Sequence, residues 1–338
     1  MLFRYRDLKS ATKNFSEKLG EGGFGSVFKG TLLPNSTAIA VKMLKRLKQG
    51  EKQFRAEVKT IGTIQHVNLV RLRGFCAEAS KRFLVYDYMP NGSLESVLFR
   101  KSLTILDWQV RYQIAIGTAK GLCYLHEECR DCIIHCDIKP ENILLDSEYI
   151  PKVADFGLAK LIGRDFSRVL TTMRGTRGYL APEWLSGQAI TPKADVFSYG
   201  MLLFELISGK RNSENSAGGM EHYFPNRVSS ALRDGEENVI SLLDSRLEGN
   251  AEREEVIRAC KVACWCIQDD ERNRPSMSVV VKILVGLVEV EVPSVPLFIQ
   301  RLTGRPLETA NFGKESTTTS GSTLPESVDG SSTKYFSA

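Results

Sequence analysis

The sequence predicts an α+β chain of two lobes, a small β-rich N-lobe with one helix followed by a larger, mainly helical C-lobe. Three observations carry this. Apolar runs of strand length, Ala38–Val41 and Phe83–Tyr86, are confined to the first part of the chain. A single amphipathic stretch lies between them, Glu51 to Gly62, with Phe54, Val58 and Ile61 on one face. From Leu94 onward, helical periodicity takes over.

The elements follow in order. Gly20 to Gly30 is a glycine-rich turn running into the β-formers Val27 and Phe28. Asp107 is an N-cap for a helix reaching His126, with Val110, Ile114 and Leu122 on its buried side. Ala194 to Ser208 is an apolar helix closed by Gly209. Arg253 to Ile267 repeats the pattern through Val256, Cys260, Ala263 and Ile267. Asn212 to Gly219 reads as a surface loop, and no internal repeat is found. From Gly313 to Ala338, 12 of 26 residues are Ser or Thr, too few of them apolar to offset the entropy of ordering. The stretch is read as a disordered tail, and as a candidate site of phosphorylation.

Composition bounds the possible functions. With 338 residues, 42% hydrophobic and 25% charged, the chain can bury a core; it is not a disordered chain, a collagen or a coiled coil. Lys+Arg exceeds Asp+Glu by 45 − 40 = 5, a mild excess without the dense basic stripe of a nucleic-acid binder. Eight cysteines are too sparse for a disulfide scaffold and no signal peptide precedes them, so they are read as reduced thiols. Met201–Ile207 is broken by Glu205, and Val279–Val292 by Lys282, Glu289 and Glu291; neither reaches a spanning length. The N-terminus lacks the glycine that myristoylation needs.

The chemistry sits in a series of short motifs. Gly20-x-Gly22-x-x-Gly25 is weak alone, since dinucleotide-binding folds use the same letters. There the glycines open a helix, whereas here strand formers follow, which suits a flap whose backbone N–H groups approach phosphates. Lys42 ends the apolar strand Ala40-Val41-Lys42, and Glu57 lies fifteen residues later on the amphipathic helix, able to hold the ammonium toward phosphates. In His135-Cys136-Asp137-Ile138-Lys139-Pro140-Glu141-Asn142, Asp137 can accept a hydrogen bond from a substrate hydroxyl. Lys139 can offset phosphoryl charge, and Asn142 offers a hard oxygen to Mg²⁺. Asp155-Phe156-Gly157 adds a carboxylate ligand for metal, and Ala181-Pro182-Glu183 closes the segment that begins there.

In that order and spacing, from about Phe15 to Val292, the motifs resemble a eukaryotic protein kinase catalytic domain. The segments "FRYRDLKSATKNFSEKLGEGGFGSVFKG", "LVYDYMPNGSL" and "ADVFSYGMLLFELISGKRN" resemble plant receptor-like Ser/Thr kinases. "IIHCDIKPENILLD" and "VLTTMRGTRGYLAPEW" resemble the S-domain (G-type lectin) group within them. The resemblance implies a bilobal protein-kinase fold: residues 1–14 a juxtamembrane-like lead-in, 15–292 the kinase domain (N-lobe 15–89, C-lobe 90–292) and 293–338 a Ser/Thr-rich tail. It implies ATP and Mg²⁺ as cofactors and protein Ser/Thr hydroxyls as substrates. Autophosphorylation and co-receptor contacts are further expectations, with no nucleic acid and no transmembrane segment in this chain. The location implied is the cytoplasmic face of the plasma membrane for part of a receptor, or soluble cytoplasm for the chain as given.

The resemblance also assigns roles. Leu19, Gly20, Gly22, Gly25, Val27, Ala40, Lys42, Glu57, Tyr86 and Met89 would bind ATP, with Tyr86 as gatekeeper and Asp87, Tyr88 and Met89 as the hinge. Asp137 and Lys139 would be catalytic; Asn142 and Asp155 would hold the metal. Asp195 and Arg274 match structural positions, with Arg274 paired to Glu183. Lys139 and Gly175-Thr176 favour Ser/Thr over Tyr. Where most kinases have Arg, this chain has Cys136, a "non-RD" pattern. A thiol cannot clamp a phosphate bidentately, so phosphorylation of Thr171, Thr172 or Thr176 is not expected to act through that clamp.

Blander readings apply elsewhere. Cys129, Cys132 and Cys136 lack a second pair at zinc-site spacing, and read as ordinary thiols. Cys260 and Cys264 read as small core residues. His135 and His66 read as structural, and Lys45-Arg46 and Lys81-Arg82 as solvated. Two rival functions remain. One is a catalytically weak or inactive nucleotide-binding scaffold, a pseudokinase, against which every residue the chemistry needs is present. The other is an oxidoreductase, which needs a βαβ unit after Gly25 that the strand chemistry contradicts.

Overall fold

The strands of the first ninety positions join in one five-stranded antiparallel sheet. The computed structural model describes the chain apart from residues 24, 46–47, 63, 100–104, 164–168, 170–174, 213–222 and 303–338. The described residues all belong to one compact unit, Met1–Arg305. A short helix, α1 (Tyr5–Ala11), leads into strands β1 (Lys18–Gly22), β2 (Gly25–Leu32) and β3 (Thr37–Leu44). Helix α2 (Lys48–Ile61) follows, then β4 (Leu72–Glu78) and β5 (Lys81–Asp87). The five strands pair antiparallel in the order β1-β2-β3-β5-β4.

The period of two in β3 divides its side chains between two cores. Ile39 and Val41 face outward, where they are covered by Leu8 of α1 and by Phe83 and Val85. Tyr5, Phe15 and Phe28 extend this outer layer as packed rings. The lead-in is therefore part of the lobe: Leu8 is fully buried, worth roughly 1.5–3 kcal/mol on its own. Ala40 and Lys42 face the other way, toward α2; register pairs Lys42 with Val27 and Leu84, and Ala40 with Tyr86.

The second lobe starts with α3 (Leu94–Leu98) and α4 (Trp108–Cys123). Asp107 caps α4 as expected, accepting from Val110 N at 2.8 Å. The helix predicted to reach His126 does so with a change of winding, since Tyr124–Glu128 form a π-helical turn. Short strands β6 (Cys132–Ile134), β7 (Ile143–Leu145), β8 (Pro151–Val153) and β9 (Lys160–Ile162) pair as β6-β9 and β7-β8. Helices α5 (Pro182–Leu185), α6 (Lys193–Ser208), α7 (Phe224–Asp234), α8 (Arg253–Cys266) and α9 (Met277–Leu284) complete the lobe.

Helix α6 is buried almost along its whole length, which explains why its sequence is apolar all round instead of amphipathic. Gly209 ends it at φ 63°, and a Cβ there would lie 1.9 Å from Asp244 Oδ2, so a glycine is required twice over. Past Val292, where the sequence placed the tail, α10 (Leu297–Leu302) buries Ile299 at the end of the described residues. Among the described residues no helix is long and apolar enough to cross a membrane. The Ser/Thr-rich stretch 313–338, most of the loop from Asn212 to Gly219, and Arg46 lie outside the described residues.

Candidate active site

Two clusters of polar side chains form, the first joining Lys42 and Glu57 of the N-lobe to Asp155 of the C-lobe and the second within the C-lobe. The first joins strand, helix and loop. Lys42 Nζ lies 2.6 Å from Glu57 Oε1 on α2 and 2.8 Å from Asp155 Oδ1. The Tyr86 hydroxyl donates to the second oxygen of Glu57. Glu57 is fully buried, and burial pushes its carboxyl up despite the adjacent ammonium. Burial works the same way on Asp155, but there the Lys42 charge wins and its carboxyl is held below the usual range. Burial opposes the Lys42 charge, and Asp155 and Glu57 together overcome it, so Lys42 is raised and stays an ammonium.

Asp155 takes a left-handed conformation, φ 64°, that turns its carboxylate back to Lys42 while Phe156 enters the core. Phe156 packs edge-on against His135, ring centroids 4.9 Å apart. His135 bonds backbone, its Nε2 lying 2.9 Å from Ala154 O and its Nδ1 accepting from Asp137 N at 3.3 Å.

The second cluster is built on the loop after β6. Asp137 Oδ1 accepts from the Thr176 hydroxyl at 2.8 Å, and its Oδ2 lies 2.9 Å from Lys139 Nζ. Lys139 Nζ also donates to Thr176 Oγ1 at 2.7 Å. Asn142 Nδ2 donates to Asp137 O and Oδ2 at 2.8 and 3.0 Å, which leaves its carbonyl oxygen as the available acceptor. The loop is held from below by Asp195 of α6, which accepts from His135 N at 2.7 Å and Cys136 N at 2.8 Å. Those bonds secure Cys136 at φ 69°, a conformation most side chains avoid. Its thiol is buried, which pushes its pKa well up.

The activation-segment end is braced by an ion pair. Arg274 NH1 and NH2 bond the two oxygens of Glu183 at 2.7 and 2.8 Å, the bidentate geometry that binds most firmly. That is the pairing the family resemblance implied.

The remaining nucleotide candidates surround these clusters. Val27 and Ala40 share the cleft face of the sheet with Lys42 and Tyr86. Leu19, Gly20 and Gly22 lie on exposed β1. A Cβ added at Gly20 or Gly22 would meet nothing within 4 Å, so their backbone is open to a large anion. Gly25 differs, because a Cβ there would lie 2.1 Å from Met43 O; its glycine serves the pairing of β2 with β3. Met89 follows β5, with its carbonyl bonded to Gly92 N at 3.2 Å. Sequence reasoning missed the Tyr86–Glu57 bond and the His126 Nε2 contact to Asp195 at 2.9 Å, for neither has a signature in spacing. It also missed a network around Arg211. Thr171 and Thr172 lie outside the described residues.

A β3 lysine paired to a helix glutamate, facing a loop aspartate, lysine and asparagine across a cleft, defines a protein kinase catalytic domain. Residues 14–284 match the Protein kinase domain family, and the chain belongs to it. It is 68% identical over 305 residues to a G-type lectin S-receptor-like serine/threonine-protein kinase of Arabidopsis thaliana, covering 89% of this chain and 36% of that protein. To the Arabidopsis G-type lectin S-receptor-like serine/threonine-protein kinase SD2-2 it is 60% identical over 309 residues, 89% of this chain and 38% of the relative. The chain thus spans little more than a third of the length of these relatives.

Proposed function

We propose that this chain transfers the γ-phosphate of ATP to protein Ser or Thr hydroxyls, as the kinase portion of a plant receptor-like kinase. The observation that carries the reading is the Thr176 hydroxyl, which donates to Asp137 and accepts from Lys139. A substrate hydroxyl in that place would be oriented by the Asp137 carboxylate, which takes its proton, while Lys139 offsets charge on the moving phosphoryl group. Lys42, held between Glu57 and Asp155, would bind phosphate oxygens, under the open backbone of Gly20 and Gly22. The Tyr86 ring and Met89 would bound and bond the adenine edge.

Mg²⁺ fits the donor set. Asp155 and the Asn142 carbonyl are hard oxygen donors, and two protein ligands suit an ion that keeps phosphate oxygens and water as its others. When bound, the ion neutralises phosphate charge. Positioning and electrostatics carry most of such a reaction.

Labelled ATP with Mg²⁺ tests this. Incorporation on Ser and Thr by the native chain, lost in Asp137→Asn, supports the reading. ATP binding without transfer to itself or to a generic substrate overturns it in favour of a scaffold. We further propose that the buried Cys136 makes transfer independent of a phosphate clamp. Cys136→Arg should then gain a dependence on activation-segment phosphorylation that the native chain lacks, and equal dependence in both refutes this.

A further inference from the structure

Beside the catalytic loop lies a recess lined by three carboxylates and filled by one side chain of the same chain. Arg211, two residues beyond the glycine that ends α6, places NH2 2.7 Å from Glu141 Oε1 and 3.2 Å from Glu95 Oε1. Its NH1 donates to the Tyr179 hydroxyl at 3.3 Å, and its Cζ lies 4.4 Å from the Phe99 ring centroid. Tyr179 in turn donates to Glu205 Oε2 at 2.7 Å, and Asn212 N donates to Glu205 Oε1 at 3.0 Å.

The position matters. Glu141 sits between Lys139 and Asn142, two of the three residues that contact the Asp137 carboxylate. Tyr179 is three residues beyond Thr176, whose hydroxyl marks the acceptor place. The recess opens to solvent: the side chains of Glu141, Glu95 and Arg211 are 39%, 36% and 21% exposed. Among the described residues Glu141 Oε2 and Asn212 Oδ1 are buried without a hydrogen-bond partner.

We propose that Arg211 is a specificity-determining residue: it occupies from within the chain the cation position of the Glu95–Glu141–Glu205 recess, and so removes the advantage of a substrate with Arg or Lys beside its acceptor. The inference deepens the kinase reading and rests on it. Without Arg211, the carboxylates would face the peptide-binding side with no guanidinium. A fixed planar guanidinium is the group they fit, because two carboxylates and a phenol already ring it. The substrate class for the native chain is therefore a Ser/Thr peptide with no requirement for a basic neighbour.

The test scans a neutral Ser peptide with single Arg substitutions at each position within four of the acceptor. Fluorescence anisotropy reads binding and labelled ATP reads transfer, on the native chain, Arg211→Ala and Arg211→Ala/Glu141→Gln. Arg211→Met, which keeps the aliphatic stem on Phe99, is measured in parallel in case the alanine variant folds poorly. The native profile should be flat. Arg211→Ala and Arg211→Met should each bind one Arg peptide roughly tenfold more tightly than its neutral parent. Adding Glu141→Gln should flatten the profile again, and Arg211→Lys should keep the native one. A loss of affinity equal for all peptides, or a native chain that already prefers one Arg position, overturns the proposal. Binding is read apart from turnover, so a chain without transferase activity would still report the profile.

Discussion

The buried charges of the cleft and those of the skeleton beneath it use their partners differently. In the skeleton, each nitrogen of Arg274 is engaged, by Glu183 and by the carbonyls of Gln268, Lys193 and Asp269. Arg111 likewise bonds the carbonyls of Leu106 and Leu206 and the Asp244 carboxylate. Asp195 holds two backbone amides. In the cleft, the Asp137 carboxylate is bonded to a hydroxyl, an amide and an ammonium, all ends of side chains. Glu57 is bonded to Lys42 and Tyr86 in the same way. Side-chain ends can exchange one partner for a ligand atom by a rotamer change, whereas backbone partners cannot leave without unfolding a turn. A charge tied at least partly to backbone, as Arg274, Arg111 and Asp195 are, is locked in place, whereas Asp137 and Glu57, held only by side-chain ends, can exchange partners.

The sharpest way to break this contrast is to remove one charge of each kind. Asp155→Asn should lower phosphoryl transfer on the order of 100-fold or more. Its midpoint in urea should barely move, because Lys42 keeps Glu57 as a partner; a large drop in stability would place Asp155 with the skeleton. Arg274→Ala should do the reverse, costing about 3–5 kcal/mol in urea unfolding by stranding buried Glu183. The fraction still folded should keep its turnover, and a loss under about 1 kcal/mol would dissolve the distinction.

Glu205 sharpens the boundary, as a buried carboxyl bonded to both a phenol and a backbone amide. Burial pushes it up to about 7 from 4.5. The folded chain thus holds that proton to higher pH than the unfolded chain does. Its contribution is complete below pH 4.5 and is lost as pH rises toward 7. Glu205→Gln should flatten the pH dependence of the thermal midpoint in that window, and an unchanged slope would show that another group sets it. The smallest effect is local: Asp107→Ala should cost about 1 kcal/mol by freeing the Val110 amide, measured by urea unfolding with transfer unchanged.

Much of the fold was legible because it rests on local rules. The cap at Asp107, the glycine stop at Gly209, the α2 stripe of Phe54, Val58 and Ile61, and the alternation of β3 each depend on neighbours within a few residues. The two polar clusters of the cleft were legible for another reason, since their residues are spaced in short motifs of restricted chemistry. The π-helical turn at Tyr124–Glu128 and the helix Leu297–Leu302 were not, as packing against the rest of the lobe selects them.

By itself, the sequence determined the two-lobed architecture and carried the motifs on which the family resemblance rests, and with that resemblance the expected pairing of Arg274 with Glu183. Tertiary structure alone decided which partner each charge finds across long separations in the chain. Tyr86 meets Glu57 across 29 residues, and Arg211 meets Glu95 across 116. Spacing along the chain encodes which groups exist and which face they take. Only the closing of the core brings such distant groups within the few ångströms where a hydrogen bond or a charge can act.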